Sequence, residues 1–182
     1  MIICLMGPAG SGKSTLAKEL ERVRPERFAR VPVDYFFVPR PATESMADYL
    51  ARPFGYDWPA VDRALAATGP ERSTPDCDFT AMRRRAPYGG LPIGPGPVAV
   101  LDGMRPHPRC DRLVLLELEP AEQCRRLVDR DRRWGTEVAD RQDHLAATFR
   151  HGLAERPRDP DLRLSAAQPV DAMITTLLAL LA

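Results

Sequence analysis

Lysine is almost absent from this sequence, and asparagine does not occur at all. Lys13 and Lys18 are its two lysines among 26 basic residues, and 25 acidic residues leave a formal net charge of +1. This balance lacks the basic stripe of a nucleic-acid-binding protein and the basic patch of a membrane-surface protein, so we expect neither partner. The absence of asparagine also excludes the N-K-x-D motif with which GTPases read guanine.

Cysteines are few and widely spaced. Cys4, Cys77, Cys110 and Cys124 contain no C-x-x-C pair, which argues against a zinc site and a disulfide framework. No apolar run approaches the ~20 residues that span a bilayer. Because an apolar strand begins at Ile2, we expect no signal peptide and a cytoplasmic location.

The length of the chain favours a single domain. A sequence of 182 residues can bury about 70% of its unfolded surface, enough for a core of its own. We therefore predict one domain over residues 1–182. Within it, residues 38–97 are rich in proline, glycine and aromatics, which is typical of an inserted substrate-binding region.

Residues 7–15 carry the most specific motif of the chain. They read G-P-A-G-S-G-K-S-T and match G-x-x-x-x-G-K-[ST], the P-loop pattern, between an apolar strand at 2–6 and a helical pattern that follows. Glycines let successive backbone N–H groups turn toward phosphate oxygens, and the helix N-terminus adds its positive dipole end. We assign phosphate binding to Gly7, Ala9, Gly10, Ser11, Gly12, Lys13, Ser14 and Thr15.

The remaining pattern alternates strands with helices. Apolar strands are predicted at 29–33, 98–101, 113–118 and 162–165. Helices are predicted at 61–67, 121–133 and 138–153, and after Pro169. Only 61–67 looks helical within the insertion. Such alternation predicts an α/β fold, a three-layer sandwich around a doubly wound parallel sheet.

Two aspartates follow predicted strands, where open parallel sheets bind their ligands. Asp34 is a candidate base for a substrate hydroxyl or a ligand of a Mg²⁺-bound water, and the alternative is a helix cap or a solvated loop residue. Asp102 is a candidate for the acidic Mg²⁺ position of P-loop enzymes, together with the Ser14 hydroxyl, and the alternative is a turn aspartate before Gly103.

Arginines recur on one face of the helix predicted at 121–133. Arg126, Arg130 and Arg133 are spaced by one turn, so they repel each other by about 0.2–0.5 kcal/mol per pair unless an anion relieves the repulsion. A phosphate is one such anion. The alternative is a solvated face in an arginine-rich protein.

These motifs, in this order, resemble those of the uridine kinase and phosphoribulokinase branch of P-loop kinases. Asp34 begins D-Y-F-F, similar to the family's D-x-F-Y, and Tyr56 begins Y-D-W-P, similar to F-D-H-P. Asp78 lies in P-D-C-D-F, similar to P-x-Y-D-F, and Asp102 lies in L-D-G, similar to F-E-G. The arginines from Arg125 onward resemble its lid motif, although tryptophan replaces one lid arginine.

The resemblance implies a fold and a set of site residues. The fold is a five-stranded parallel sheet in the order 2-3-1-4-5 with a helical lid at roughly 121–150. Asp34 would be the catalytic base, aided by Lys13, Arg126 and Arg130. The implied substrate-binding residues are Asp34, Phe37, Tyr56, Asp57, Cys77 and Asp78.

We therefore expect an ATP-dependent kinase that phosphorylates a small alcohol, with Mg²⁺ held by Ser14 and Asp102. The resemblance favours a nucleoside or nucleoside-like acceptor. Phe37 and Cys77 stand where the family has tyrosines, so a sugar, vitamin or antibiotic-like alcohol stays an alternative acceptor. A non-catalytic ATP-binding regulator is the competing class, and the sequence leaves a homodimer open.

Overall fold

The computed structural model describes residues 1–51, 55–133 and 159–181. The strands in these residues are β1 (Ile2–Met6), β2 (Phe28–Pro32), β3 (Ser73–Asp78), β4 (Arg83–Pro92), β5 (Val98–Asp102), β6 (Arg112–Glu117) and β7 (Leu162–Ser165). The α-helices are α1 (Lys13–Val23), α2 (Met46–Ala51), α3 (Trp58–Ala66), α4 (Pro120–Arg133) and α5 (Val170–Leu180), with 3-10 turns at Val33–Phe36 and Gly69–Glu71.

A parallel sheet of five strands forms the centre of the protein, in the order β2-β5-β1-β6-β7. Counting only the strands of this sheet, the order is 2-3-1-4-5, so the predicted topology is confirmed. β1 is the central strand. The P-loop that follows it therefore lies at the middle of the carboxyl ends of the strands, where ligands of such folds bind.

Both faces of the sheet are buried, as expected for parallel strands. Along β1 the side chains alternate: Ile3 and Leu5 belong to one apolar core, while Cys4 and Met6 belong to the other. Helices α1 and α5 cover the first face, and α3 packs against the second. These layers form the predicted three-layer α/β sandwich.

The insertion at 38–97 contains more regular structure than the sequence predicts. The helix expected at 61–67 begins earlier, as α3 at Trp58–Ala66, and α2 and an antiparallel hairpin of β3 and β4 were not expected. The hairpin escapes a search for alternating apolar residues because most of β4 is exposed or half-buried and contains two glycines and two prolines. The expectation of a region with little regular structure is therefore wrong.

Polar contacts stabilise the hairpin in place of an apolar face. Ser73 Oγ accepts a hydrogen bond from the Gly89 N–H at 2.9 Å, and Thr74 Oγ1 accepts one from the Leu91 N–H at 2.8 Å. Both hydroxyl-bearing residues are buried. Such contacts join residues that are 16 and 17 positions apart in the chain, so no local sequence pattern predicts them.

Most predicted boundaries shift by one residue. The strand expected at 29–33 is β2, Phe28–Pro32, and Asp34 then lies within the 3-10 turn Val33–Phe36. Helix α4 extends over most of the first half of the predicted lid, whereas the helix predicted at 138–153 lies outside the described residues. None of the described helices has the length and apolar character required to cross a membrane.

Candidate active site

The P-loop joins β1 to α1: five of the eight predicted phosphate-binding residues lie in the loop, and the other three, Lys13, Ser14 and Thr15, begin α1. Gly10 and Gly12 have φ of +82° and +86°, a conformation that favours glycine. A Cβ on Gly7 would lie 2.5 Å from the Leu116 carbonyl oxygen, so a side chain there would clash with β6. A Cβ on Gly12, in contrast, would meet nothing within 4 Å. The loop is therefore tight against the sheet and open on its other side.

Lys13 is the first residue of α1, and its ammonium group folds back over the loop. Lys13 Nζ donates hydrogen bonds to the carbonyls of Gly7 at 2.9 Å and Pro8 at 3.0 Å. Burial lowers the pKa of Lys13, and the nearby carboxylates of Asp34 and Asp102 oppose that shift. Lys13 thus lies close to two carboxylates and to the Arg130 charge at this end of the sheet.

The two candidate aspartates follow adjacent strands. β2 and β5 pair in parallel with Pro32 opposite Asp102, and Asp34 comes two residues after Pro32. Both carboxylates influence the pKa of Lys13, so the structure brings the three groups together at one end of the sheet. This convergence depends on the parallel pairing, because 68 residues separate the two aspartates in the sequence.

Asp34 is exposed but held at one oxygen. The Tyr56 hydroxyl donates a hydrogen bond to Asp34 Oδ1 at 2.7 Å, and the same hydroxyl accepts one from the Met104 N–H at 3.0 Å. Burial and the neighbouring Asp34 charge raise the pKa of Tyr56 well above its ordinary value. A carboxylate that is exposed and also oriented suits a group that accepts a proton from a substrate.

Asp102 has the opposite environment. Its side chain is 2% exposed, and its Oδ2 accepts a hydrogen bond from Arg30 Nη2 at 3.1 Å. Burial raises the pKa of Asp102, while the Arg30 charge and a hydrogen bond from Ser14 act against that rise. Asp102 Oδ1 is buried and has no hydrogen-bond partner within the described part of the chain.

This arrangement fits a Mg²⁺ ion. The Asp102 carboxyl lies near the Ser14 hydroxyl and has an orphaned oxygen, Oδ1, and Mg²⁺ is usually bound by one or two protein oxygens together with phosphates and waters. Among residues 1–51, 55–133 and 159–181, no three His, Cys, Asp or Glu side chains form a group that could hold a metal on their own. A metal here would therefore share its coordination with a bound phosphate.

The lid arginines differ in what they contact. Arg126 donates to the Ala166 carbonyl at 2.9 Å, to the Gly10 carbonyl of the P-loop at 3.4 Å and to Glu122 at 2.7 Å. Arg130 lies close enough to Lys13 to lower its pKa. Hydrogen bonds from Arg125 and Arg126 lower the pKa of Glu122 to about 2, so this glutamate offsets part of the repulsion expected along the helix.

Three of the predicted substrate-binding residues have their side chains engaged within the protein. Phe37 is fully buried in a small core with Tyr49 and Met82. Cys77 donates from its thiol to the Tyr35 carbonyl at 3.1 Å. The Tyr56 ring is buried, and its hydroxyl is the one that contacts Asp34.

Asp57 and Asp78 both cap local structure and pair with arginines. Asp57 is the N-cap of α3, where its Oδ1 accepts from the Ala60 N–H at 3.0 Å, and its Oδ2 accepts from Arg84 at 2.7 Å. Although burial raises the pKa of Asp57, these hydrogen bonds lower it below the ordinary value overall. Asp78 accepts from the Ala81 N–H at 3.0 Å and from Arg85 at 3.1 Å.

Sequence reasoning missed Arg30 and Arg84, the partners of two predicted site aspartates. Arg84 also donates to the Phe37 carbonyl at 2.5 Å. It therefore connects β4 to the D-Y-F-F motif through Phe37 and to the Y-D-W-P motif through Asp57. For Arg30 a signal was present: it is the one charged residue in the otherwise apolar strand β2. A charge in such a strand requires a partner nearby. For Arg84, within a run of three arginines, no such signal existed.

Comparison with known structures identifies the fold. A protein described as a fructose transport system kinase from Silicibacter sp. TM1040 is 24% identical, with a TM-score of 0.61 over 90% of this chain and 89% of that one. A gluconokinase from Sinorhizobium meliloti 1021 is 17% identical, with a TM-score of 0.51 over 98% and 90%. Shikimate kinase from Aquifex aeolicus is 12% identical, with a TM-score of 0.52 over 100% and 96%. No protein-family model and no curated sequence matches the chain.

The protein thus has the α/β fold of the P-loop kinases, as predicted. At these identities the likeness shows the fold alone. The comparisons do not single out the uridine kinase and phosphoribulokinase branch, so that finer assignment stays a prediction.

Proposed function

We propose that the protein is an ATP-dependent kinase that transfers the γ-phosphoryl group of ATP to a hydroxyl of a small molecule. The observation that carries this proposal is the position of Asp34. It is an exposed carboxylate, oriented by Tyr56, beside Lys13 and Asp102 at the open end of the sheet. A phosphate-binding loop alone suits many nucleotide-binding proteins, whereas a base beside it suits transfer to an acceptor.

The mechanism follows from these positions. Backbone N–H groups of the P-loop bind the phosphates, and Lys13 Nζ exchanges its bonds to the Gly7 and Pro8 carbonyls for phosphate oxygens. Asp34 accepts the proton of the acceptor hydroxyl, whose oxygen forms a bond to the γ-phosphorus. The bond from that phosphorus to the β–γ bridging oxygen breaks, and ADP leaves. Ser14 and Asp102 would hold Mg²⁺, which neutralises charge on the phosphates when bound.

We assign the lid arginines different parts of this reaction. Arg130, which lies near Lys13, neutralises charge that spreads over the transferred phosphoryl oxygens. Arg126 contacts the P-loop through the Gly10 carbonyl and exchanges this long hydrogen bond for one to nucleotide oxygens.

In this proposal residues 1–182 form one kinase domain, in which residues 38–97 bind the acceptor and residues 121–150 close over it.

The acceptor is the open part of the proposal. The motif resemblance favours a nucleoside or a nucleoside-like compound. A polyol or sugar acid is the second candidate, because the buried Phe37 and the Cys77 thiol offer neither a stacking ring nor a tyrosine hydroxyl to a base. Two of the structural neighbours are kinases of gluconate and shikimate, so hydroxylated carboxylic acids belong on the test panel.

The test is acceptor-stimulated release of ADP. Purified protein with ATP and Mg²⁺ is given nucleosides, sugars, sugar acids and vitamin-like alcohols one at a time, with the Asp34→Asn variant as control. We expect at least one compound to raise ADP release in the wild type and not in the variant. ATP binding without stimulation by any compound would favour a non-catalytic regulator, and equal stimulation in Asp34→Asn would remove the base assignment.

A further inference from the structure

The Tyr56 hydroxyl lies between the Asp34 carboxylate and the backbone that follows Asp102. It contacts Asp34 Oδ1 at 2.7 Å and the Met104 N–H at 3.0 Å. Met104 comes two residues after Asp102. One hydroxyl therefore ties the proposed base to the backbone that follows the proposed metal ligand, although 68 residues of sequence separate the two aspartates.

The chemistry of the groups fixes the direction of these bonds. A backbone N–H can only donate, so the Met104 N–H occupies a lone pair of the tyrosine oxygen. The single phenolic proton is then directed to Asp34 Oδ1. Because burial and Asp34 raise the pKa of Tyr56, its hydroxyl stays protonated at neutral pH and remains a hydrogen-bond donor.

The tyrosine ring cannot easily turn away. Tyr56 is 8% exposed, and its ring packs on Trp58 with centroids 5.1 Å apart. Trp58 in turn meets the buried His107 ring edge-on at 5.0 Å. Gly103 provides the necessary space, because a Cβ there would lie 3.0 Å from Val33 Cβ and 3.5 Å from the tyrosine hydroxyl.

We propose that Tyr56 is a positioning residue for phosphoryl transfer, whose hydroxyl holds Asp34 by Oδ1 and leaves Oδ2 to the acceptor. This inference rests on the proposed kinase function. Without the hydroxyl the exposed Asp34 side chain samples several rotamers, and a smaller share of them presents Oδ2 to the acceptor. The P-loop contains none of these contacts, so nucleotide binding stays unchanged.

The sequence predicts Tyr56 as a substrate contact, and the two roles differ in what they change. A substrate-binding hydroxyl lowers the acceptor KM. A positioning hydroxyl raises kcat through Asp34, with little effect on the KM of acceptor or ATP. The split between kcat and KM therefore separates the two roles.

The test uses Tyr56→Phe with Tyr49→Phe as a matched control. Tyr49 is also buried, and its hydroxyl donates to the Val38 carbonyl at 2.8 Å, so each variant removes one buried tyrosine hydroxyl. We expect Tyr56→Phe to lower kcat about tenfold to hundredfold, with both KM values within twofold of wild type. Tyr49 lies within residues 38–97, the proposed acceptor-binding region, so Tyr49→Phe controls for the loss of a buried hydroxyl and not for unchanged activity. It should lower the melting temperature by a similar amount, with a loss of kcat well below that of Tyr56→Phe.

A double-mutant cycle with Asp34→Asn shows whether the tyrosine acts through the aspartate. If it does, Tyr56→Phe adds no further loss of kcat in the Asp34→Asn background. An unchanged kcat in Tyr56→Phe, or a loss that repeats in full without the Asp34 carboxylate, overturns the positioning role while the kinase function stands. A wild-type protein without acceptor-stimulated ADP release overturns both.

Discussion

The proposed nucleotide half and the proposed acceptor half of the site are built in different ways. In the nucleotide half, consecutive residues of one loop supply the phosphate cradle, and Lys13 reaches back only to Gly7 and Pro8. In the acceptor half, the contacts join distant residues: Arg84 binds Asp57, 27 residues away, and the Phe37 carbonyl, 47 residues away. The first half is therefore encoded locally and the second only by the folded chain.

We infer from this difference that general recognition of nucleotide phosphates and specific recognition of the acceptor belong to separate regions. A local loop that recognises phosphates can be shared by many enzymes, because every nucleotide presents the same groups. The proposed acceptor half depends on ion pairs and capped turns that stabilise one another, so a single change there would alter the shape presented to an acceptor. Substitutions in the two halves should accordingly change different kinetic constants.

The largest effect is expected at Asp34, where the two halves meet. Asp34→Asn removes the proton acceptor and keeps the shape of the side chain. The rate of transfer should fall about 10²–10⁴-fold, the usual contribution of a general base, while ATP binding persists. Single-turnover kinetics and titration with an ATP analogue measure the two quantities. Near-normal turnover in this variant would contradict the role of Asp34.

Lys13→Ala should give the next largest effect, and it should change the nucleotide half alone. Loss of a charged donor to the phosphates lowers kcat by about 10²–10³-fold and weakens ATP binding. Isothermal titration with an ATP analogue and steady-state kinetics provide the check. Lys18→Ala is the control, because this exposed lysine lies outside the loop. Unchanged ATP affinity in Lys13→Ala would refute the assigned contact.

Arg84→Met tests the acceptor half. It leaves the Asp57 carboxylate without its arginine, at a cost of about 1–3 kcal/mol in stability, and it should raise the acceptor KM about tenfold with the ATP KM unchanged. Arg30→Met is the matched control, since it breaks the buried pair with Asp102 on the nucleotide side. A rise in the ATP KM of Arg84→Met, or in the acceptor KM of Arg30→Met, would erase the distinction between the halves.

The smallest effect concerns stability and pH at His107. Burial lowers the pKa of His107, although Asp62 opposes the shift. A depressed folded-state pKa means that the unfolded chain binds the proton first as the pH falls below about 6.5, so this contribution to stability is complete above that pH and declines below it. His107→Gln should make the loss of melting temperature between pH 7.5 and 5.5 less steep than in the wild type. A loss as steep as that of the wild type would refute the shift.

The parts of the fold that were predicted are those with a local signature. The P-loop and the apolar strands follow from a nine-residue motif and from apolar runs, and the alternation of strand and helix predicts the parallel sheet; the order of its strands was implied by the family resemblance. Asp34 and Asp102 were found because each directly follows such a strand, and parallel pairing places strand ends together. Neither inference required knowledge of a distant contact.

The acceptor half could not be predicted in the same way. The hairpin of β3 and β4 has no alternating apolar face, and hydroxyls of Ser73 and Thr74 hold it. Asp57, which the resemblance implies as a substrate-binding residue, is the N-cap of α3 and has an arginine partner. The hairpin partners of Ser73 and Thr74 and the Arg84 partner of Asp57 lie more than ten residues away, beyond the reach of any local pattern.

The packing of Trp58 between Tyr56 and His107 has a practical consequence. The protein contains two tryptophans, Trp58 and Trp134. Trp134→Phe therefore leaves a single indole, Trp58, in tilted contact with the Tyr56 ring whose hydroxyl contacts Asp34. Because indole emission responds to the polarity and charge around it, the fluorescence of this variant reports events at the proposed base directly, without a label or a coupled assay.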